Sequence, residues 1–381
     1  MTPTEPDRST VLLSATNVLK LVSTFFPKEW AKTNPSNIQI KRVTGGLMNT
    51  LQHIRRTNTA TLEPSSLLIR QFGLEGNFKE PKGTSIDLSA AQQAIVYWEM
   101  SRRSWGPKIS GFFPGGRLEE FIDSAHTLTA AESTREPVRR DIARAYARLH
   151  SLQLPLRKDS FATVLRHLSE GVRRKREGVL RTLLEVEDST GTVEAFAAMF
   201  GDVDWVWELE WVAGLFERYD CKVTVTHGDT NYLNILVKES DDSDGESDSC
   251  SVVLIDYETV SYSYRGFDIG GHFQERMYCY NQPDSQLTGF PAPNPDEQRS
   301  FCESYLQEMR DLGQETSSET DTVEHLLLEA SIGRLYHLLH TTTMMAVYDE
   351  VEVDPLFLSS LVHMMKTYEQ LKGDFLESHR A

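Results

Sequence analysis

Three polar residues that follow two β-rich runs of the chain have the types and spacing that phosphoryl transfer requires. Asp229 and Asn234 lie five residues apart after the run at 223–226, and Asp256 follows the run at 252–255. A kinase needs one carboxylate to orient and deprotonate the acceptor hydroxyl, and an amide with a second carboxylate to hold Mg²⁺ on the phosphates. The pattern therefore predicts Asp229 as the catalytic base. It predicts Asn234 as a catalytic residue that also binds the metal, together with Asp256.

These side chains meet only if the strands beside them pair. An apolar strand follows Asn234, and a hairpin between it and the run at 252–255 would bring the strand ends side by side. Two simpler interpretations stay open: Asp229 caps a turn, and the nearby His227 is a structural residue that holds the loop. The joint pattern, with Glu258 two residues after Asp256, favours the functional interpretation.

A second candidate site is a predicted β-hairpin near the N-terminus. Residues 38–43 and 50–56 alternate like strands, and Gly45 and Gly46 lie in the turn between them. Glycines at such a tip let backbone N–H groups approach phosphate oxygens, although a glycine pair alone is more often a plain turn. Arg70, on a predicted third strand, is placed where a cation could reach the phosphates. The simpler interpretation of an isolated strand arginine is a solvated surface residue.

The composition is that of an ordinary globular protein and argues against some partners. The 381 residues are 39% hydrophobic and 25% charged, with a net charge of −17. Such an acidic balance disfavours nucleic acid or an anionic membrane surface as a partner. We find no leader segment, no run of about 18 apolar residues and no metal spacing among the four cysteines. We therefore expect a cytoplasmic protein with reduced thiols.

The chain is long enough for two lobes. Residues 1–116 combine strand and helix patterns, and we expect them to form an N-terminal nucleotide-binding lobe with an antiparallel sheet. Residues 117–381 are mostly helical, and we expect a C-terminal lobe with the catalytic loop, the metal site and the substrate pocket. The segment at 117–122 is interpreted as the crossing between the lobes, where backbone groups around Glu120 and Ile122 would hold adenine.

The acidic segment at 238–251 separates the two motif strands. Its aspartates have several of the spacings of an oxygen-ligand site, so calcium binding is conceivable. The full EF-hand pattern is missing, however, and we expect a disordered hairpin tip.

Several motifs together are similar to one family of kinases. The most specific is Tyr-Arg-Gly-Phe-Asp-Ile-Gly-Gly-His-Phe at 264–273, which goes beyond a generic kinase signature. The others are the glycine turn at 44–49 and the segments 67–70, 106–122, 227–234 and 255–258. On these motifs the chain resembles the choline/ethanolamine kinase family, which shares the bilobal protein-kinase-like fold with aminoglycoside phosphotransferases.

The resemblance implies both a fold and an activity. The fold is α+β, with a small β-rich N-terminal lobe and a larger, mostly helical C-terminal lobe. The activity is ATP- and Mg²⁺-dependent phosphorylation of the hydroxyl of choline or ethanolamine, the first step of phosphatidylcholine and phosphatidylethanolamine synthesis. The family often dimerises, so the resemblance also suggests a homodimer.

The resemblance assigns roles to individual residues as well. Asp229 matches the base that faces the substrate hydroxyl, and Asn234 and Asp256 match the Mg²⁺ ligands. Glu275 and Tyr280 fall where the family lines its ammonium pocket with an acid and an aromatic ring, a combination that suits a quaternary amine. The nucleotide-binding positions of the family correspond to Gly45, Gly46, Asn49 and Arg70, the last in place of the usual lysine.

Other positions depart from the family pattern. His337 and His340 stand where the family carries two tryptophans that close a cage around the ammonium group. Gln93 stands where a helix glutamate would pair with Arg70. A zinc site at the two histidines lacks a third ligand, so we expect them to line the core or the pocket.

Because the two tryptophans are missing, the identity of the substrate stays open. Without aromatic walls the cation–π attraction for choline is weaker. The alternative function is therefore a kinase of the same fold that acts on another small alcohol, such as an amino sugar. A non-enzymatic relative ranks lowest, because Asp229, Asn234 and Asp256 are all present.

Overall fold

The computed structural model describes residues 12–43, 49–57, 62–72, 88–186, 188–238, 251–279, 287–347 and 355–379. These residues form two compact units that divide between Ala125 and His126. Each unit has its own hydrophobic core.

The first unit, within its described residues, is built on one antiparallel sheet. Its helices and strands are α1 (Ala15–Val22), β1 (Ile38–Val43), β2 (Asn49–Arg56), β3 (Ser66–Phe72), α2 (Ala90–Arg102), β4 (Ile109–Phe113) and β5 (Gly116–Glu120). The strand order in the sheet is β1-β2-β3-β5-β4. The strands of the predicted N-terminal hairpin and the third strand, which carries Arg70, are thus confirmed.

Strand β5 occupies residues that we expected to cross between the lobes. Leu118 pairs with Ile69 of β3 and is fully buried. Arg117 and Glu119, on either side of it, are buried as well, because their charges meet inside this unit. Paired charges therefore allow a polar sequence to form an interior strand. The domain boundary expected between 116 and 117 falls at the start of this strand.

The second unit is mostly helical. Its helices are α3 (Glu136–His150), α4 (Ser160–Leu184), α5 (Thr192–Asp202), α6 (Trp205–Arg218), α7 (Arg265–Glu275), α8 (Pro295–Asp311), α9 (Val323–Val347) and α10 (Pro355–Ser378). Two antiparallel pairs of strands join β7 (Val223–Thr226) to β10 (Ser261–Tyr264) and β8 (Ile235–Lys238) to β9 (Ser251–Leu254). The predicted hairpin of the motif strands, β8 with β9, is thus confirmed, and β6 (Ala125–Thr127) lies beside β8. In the part of the chain that the structure describes, no helix is both long and apolar enough to cross a bilayer.

Helices α7 and α9 approach each other at glycines. A Cβ on Gly333 would stand 1.6 Å from the carbonyl oxygen of Gly266, and one on Gly270 would stand 2.3 Å from the carbonyl oxygen of Ala330. Backbones can lie this close only where side chains are missing. The glycines of the segment at 264–273 are therefore needed to seat α7 against α9.

Gly333→Ala is expected to destabilise the protein by about 3 kcal/mol, because its methyl group would overlap backbone atoms that move only if the helices separate. Gly373→Ala is the matched control, since Gly373 lies exposed on α10 with no atom within 4 Å of its Cβ position. Alanine there should stabilise the helix by about 1 kcal/mol. Thermal unfolding followed by circular dichroism measures the stability of both variants. Equal melting temperatures of the Gly333→Ala and Gly373→Ala proteins would contradict the close contact between α7 and α9.

Candidate active site

The loop after β7 carries Asp229 and is held by a buried carboxylate. Asp268, on α7, accepts the backbone N–H of His227 at 2.5 Å and that of Gly228 at 3.0 Å. Gly228 has a φ of +79°, and a Cβ there would stand 2.7 Å from the carbonyl oxygen of Thr259. The chain therefore turns sharply at this glycine, and the next residue, Asp229, is exposed.

Asp268 is itself fixed by a buried hydrogen-bond chain. His150 Nε2 lies 3.1 Å from Asp268 Oδ2, and His150 Nδ1 lies 2.9 Å from the Tyr305 hydroxyl. Burial alone would raise the pKa of Asp268, but the contacts with His150 and the loop amides lower it below its ordinary value. The group is therefore a carboxylate that positions the loop. His150 is the last residue of α3, and its contact with Asp268 could not be recognised from the sequence.

Asp268→Asn should lower kcat by about a hundredfold, because its amide NH₂ would face a loop N–H and displace the loop. The same change should cost about 1–3 kcal/mol of stability, since a buried donor is left unpaired. Asp311→Asn, at the exposed end of α8, controls for the loss of a charge. Steady-state kinetics and thermal unfolding measure both effects, and a destabilised variant with wild-type kcat would contradict the positioning role.

Asn231 and Asn234 shape the turn after Asp229. The N–H of Asn231 donates to Asp229 Oδ1 at 3.1 Å, and Asn231 Oδ1 accepts the N–H of Leu233 at 2.9 Å. These bonds begin the short 3₁₀ turn Tyr232–Asn234. Asn234 is buried, and its Nδ2 donates to the carbonyl oxygen of Asp229 at 3.5 Å. The side-chain oxygen of Asn234 is therefore the atom that can bind a cation.

Asp256 reaches the same edge through the β8–β9 hairpin. The N–H of Ile255, one position earlier, donates to the carbonyl oxygen of Asn234 at 2.9 Å. His227 Nε2 donates to the carbonyl oxygen of Ile255 at 2.9 Å, which ties the loop directly to this strand end. The backbone thus brings an amide oxygen and a carboxylate to neighbouring positions. Such an all-oxygen donor set fits Mg²⁺.

In the first unit, Arg70 belongs to a buried cluster of charges. Its Nε donates to Glu119 Oε1 at 2.9 Å, and Arg117 Nε donates to the same oxygen at 2.5 Å. The Arg117 guanidinium carbon lies 3.5 Å from the ring centroid of Tyr97. Burial would raise the pKa of Glu119, but the two arginines lower it below its ordinary value. The interpretation of Arg70 as a solvated surface residue is therefore wrong.

We expected the acidic partner of Arg70 on helix α2, but the partner is Glu119 on β5. Gln93 Nε2 instead donates to the carbonyl oxygen of Leu88 at 3.3 Å, and Glu99 binds surface arginines. The signal for Glu119 is its alternation with Arg117 along β5, which puts both charges on one face. Arg70 pairs directly opposite Arg117 and shares that face.

The structure describes some of the other residues predicted to bind the nucleotide or the substrate, but not all of them. Asn49 begins β2, Glu120 ends β5, and Ile122 follows two residues later. Outside the described residues lie Gly45, Gly46 and Tyr280. The roles of all six stay predictions.

Glu275 ends α7 and contacts one of the two histidines on α9. Its Oε1 lies 3.0 Å from His337 Nε2, and both side chains are buried. His340 contacts the rings of Phe267 and Tyr336, with centroids 5.3 Å and 5.7 Å away. Desolvation and the nearby His337 lower the pKa of His340 to about 3. His340 is therefore uncharged at neutral pH, whereas His337 is the histidine that reaches the acid.

Comparison with known proteins identifies the family. The sequence model described as Choline/ethanolamine kinase matches residues 40–353. The chain belongs to the choline/ethanolamine kinase family. Among curated relatives in this family, choline kinase alpha of Mus musculus is 29% identical over 332 residues, which cover 81% of this chain and 69% of the relative. The choline/ethanolamine kinase of Homo sapiens is 29% identical over 325 residues, which cover 79% of this chain and 72% of the relative.

Solved structures of choline and ethanolamine kinases share the fold. Choline kinase from Cryptosporidium parvum aligns with a TM-score of 0.67 at 18% identity, over 95% of this chain and 96% of that one. Plasmodium vivax ethanolamine kinase aligns with a TM-score of 0.60 at 15% identity, over 96% of this chain and 93% of that one. The predicted α+β protein-kinase-like fold, with a β-rich N-terminal part and a mostly helical C-terminal part, is confirmed.

Proposed function

We propose that this choline/ethanolamine kinase transfers the γ-phosphoryl group of ATP to the hydroxyl of choline or ethanolamine. The observation that carries the proposal is the hydrogen bond from Ile255 to the carbonyl oxygen of Asn234, at 2.9 Å. It holds Asn234 and Asp256 at neighbouring positions, beside the loop on which Asp229 is exposed. Membership of the family supports the same reaction, and the comparisons do not favour an amino sugar as acceptor.

In this proposal Asp229 orients the acceptor hydroxyl and takes its proton. A carboxylate is a weak base toward an alcohol, so the proton moves late, in a loose transition state. The hydrogen bond from Asn231 holds one carboxylate oxygen, which leaves the other to face the hydroxyl. Orientation therefore contributes more than basicity.

Asn234 and Asp256 would hold Mg²⁺ through their side-chain oxygens. The ion would neutralise the charge that builds on the phosphate oxygens during transfer. His227 supports this arrangement, because its bond to the carbonyl oxygen of Ile255 fixes the backbone beside Asp256.

We assign the binding of the nucleotide phosphates to residues of the first unit. Arg70 and Arg117 both contact the carboxylate of Glu119, and their guanidinium groups are the kind of cation that suits phosphate oxygens. The resemblance to the family assigns the other nucleotide contacts to Gly45, Gly46, Asn49, Glu120 and Ile122.

The amine end of the acceptor is assigned to Glu275 and, by the resemblance, to Tyr280. The net charge of −17 is compatible with a cationic substrate. We place the reaction in the cytoplasm, at the first step of phosphatidylcholine and phosphatidylethanolamine synthesis. A homodimer stays an expectation from the resemblance.

Coupled ADP release with purified protein and Mg²⁺-ATP tests this function. Choline, ethanolamine and an aminoglycoside serve as acceptors in parallel reactions. We expect turnover that depends on choline or ethanolamine. ADP release that requires no acceptor, or that responds only to the aminoglycoside, would contradict the proposal.

A further inference from the structure

A glycine on α7 brings two polar side chains together beside the catalytic loop. A Cβ on Gly271 would stand 2.6 Å from Thr230 Oγ1 and 2.9 Å from His337 Nδ1. Thr230 directly follows Asp229 in the chain, and Glu275 lies one helical turn beyond Gly271 on the same face of α7. A hydroxyl, an imidazole and a carboxylate therefore cluster next to the residue assigned to the acceptor hydroxyl.

All three polar side chains of this cluster are buried, with exposed fractions of 3% for Thr230, 4% for Glu275 and 6% for His337. Thr230 Oγ1 has no hydrogen-bond partner in the part of the chain that the structure describes. A buried hydroxyl is rarely left unpaired, because its desolvation is then uncompensated. Its position beside the catalytic loop points to a polar group of a ligand as the partner.

The cluster offers hydrogen-bond acceptors in particular. A carboxylate only accepts, so His337 Nε2, which lies 3.0 Å from Glu275 Oε1, carries the proton of that bond. A neutral imidazole that donates through Nε2 has its lone pair at Nδ1, the atom that lies near Gly271 and Thr230. Lone pairs of this kind are satisfied by N–H donors.

We propose that Glu275, His337 and Thr230 recognise the amine end of the acceptor through N–H hydrogen bonds, so that the enzyme prefers a primary ammonium group to a quaternary one. This inference rests on the proposed function, because it concerns the same acceptor. A primary ammonium group carries three N–H donors, whereas a quaternary one has none and leaves buried acceptors unpaired. Each acceptor left unpaired lowers affinity roughly ten- to hundredfold.

A series of acceptors that lose one N–H at a time tests the inference on the wild-type enzyme. The series is ethanolamine, N-methylethanolamine, N,N-dimethylethanolamine and choline. We expect kcat/KM to fall with each methyl group, by roughly a hundredfold across the series. Equal or rising values would overturn the inference and leave the proposed function standing. No turnover with any member would overturn the proposed function itself.

His337→Phe tests the role of the imidazole, because it keeps a ring and removes both nitrogens. The ratio of kcat/KM for ethanolamine to that for choline should fall roughly tenfold. His126→Phe is the matched control: His126 Nε2 lies 2.6 Å from Glu132 Oε1 at the surface, and its loss should not change the ratio. His337→Gln, which keeps a donor toward Glu275, should retain most of the preference.

A folded His337→Phe variant with the wild-type ratio would overturn the role of His337. Melting temperatures identify a variant that does not fold. In that case His337→Gln and the acceptor series on the wild-type enzyme still decide for or against the inference.

Discussion

Asp229→Asn is expected to lower kcat with choline or ethanolamine by about a thousandfold, while the melting temperature stays that of the wild type. Asparagine cannot take the hydroxyl proton, and its amide orients the acceptor poorly. Its side-chain oxygen can still accept the N–H of Asn231, so the loop keeps its internal bond. Asp229 is exposed, and the substitution therefore leaves no buried group unpaired. Coupled ADP release at saturating substrate, together with circular dichroism, measures both quantities.

Asp202→Asn provides the matched control for this change. Asp202 is an exposed aspartate at the end of α5, and its substitution removes one charge without touching the catalytic loop. We expect wild-type kcat for this variant. If folded Asp229→Asn protein kept kcat within about tenfold of the wild type, Asp229 would not be the base.

Asp256→Asn is expected to lower kcat/KM by about a hundredfold and to raise the Mg²⁺ concentration needed for half-maximal rate. A neutral amide is a weaker ligand for a hard cation than a carboxylate. Asp256 has a φ of +64°, in the left-handed region that asparagine tolerates as well as aspartate does. The backbone should therefore be unchanged, and the effect should come from the metal. Initial rates across a Mg²⁺ titration measure it.

Asp220→Asn is an unusually close control for Asp256→Asn. Asp220 also has a positive φ, +49°, but it is exposed after α6. The same chemical change in the same backbone conformation should leave both the rate and the Mg²⁺ dependence unaltered. Identical Mg²⁺ titrations for the Asp256 variant and the wild type would remove Asp256 from the metal site.

The placement of Asp229, Asn234 and Asp256 at adjacent strand ends could be predicted, because each residue lies close to its strand in sequence. The β8–β9 hairpin is a local structure, and a hairpin places its ends side by side whatever the rest of the chain does. The roles of the three residues stay predictions.

The support of the catalytic loop could not be predicted in the same way. Asp268 binds the backbone of His227, 41 positions earlier, and contacts His150, which lies 118 positions away. These contacts depend on how α7 sits against its neighbours, and glycines on α7 and α9 allow the close approach of these two helices. Helical periodicity carries no information about a contact made where side chains are missing.

Strand β5 and the partner of Arg70 could not be predicted from the sequence, for a related reason. Arg117 and Glu119 break the apolar pattern that marks an interior strand, and only a partner on another strand makes their burial acceptable. That partner, Arg70, lies 49 positions from Glu119. Paired charges in a core become recognisable only when the strand pairing is known.

Phosphorus NMR of the complete reaction follows the phosphoryl group from ATP to the amino alcohol. Protein, Mg²⁺ and ATP are mixed with ethanolamine or choline, and the same mixture with the Asp229→Asn protein is run beside it. In the wild-type sample alone, we expect loss of the γ-phosphate signal and growth of the phosphomonoester of the amino alcohol, with ADP as the other product. Formation of inorganic phosphate without a phosphomonoester, or equal product from both proteins, would contradict the proposed transfer.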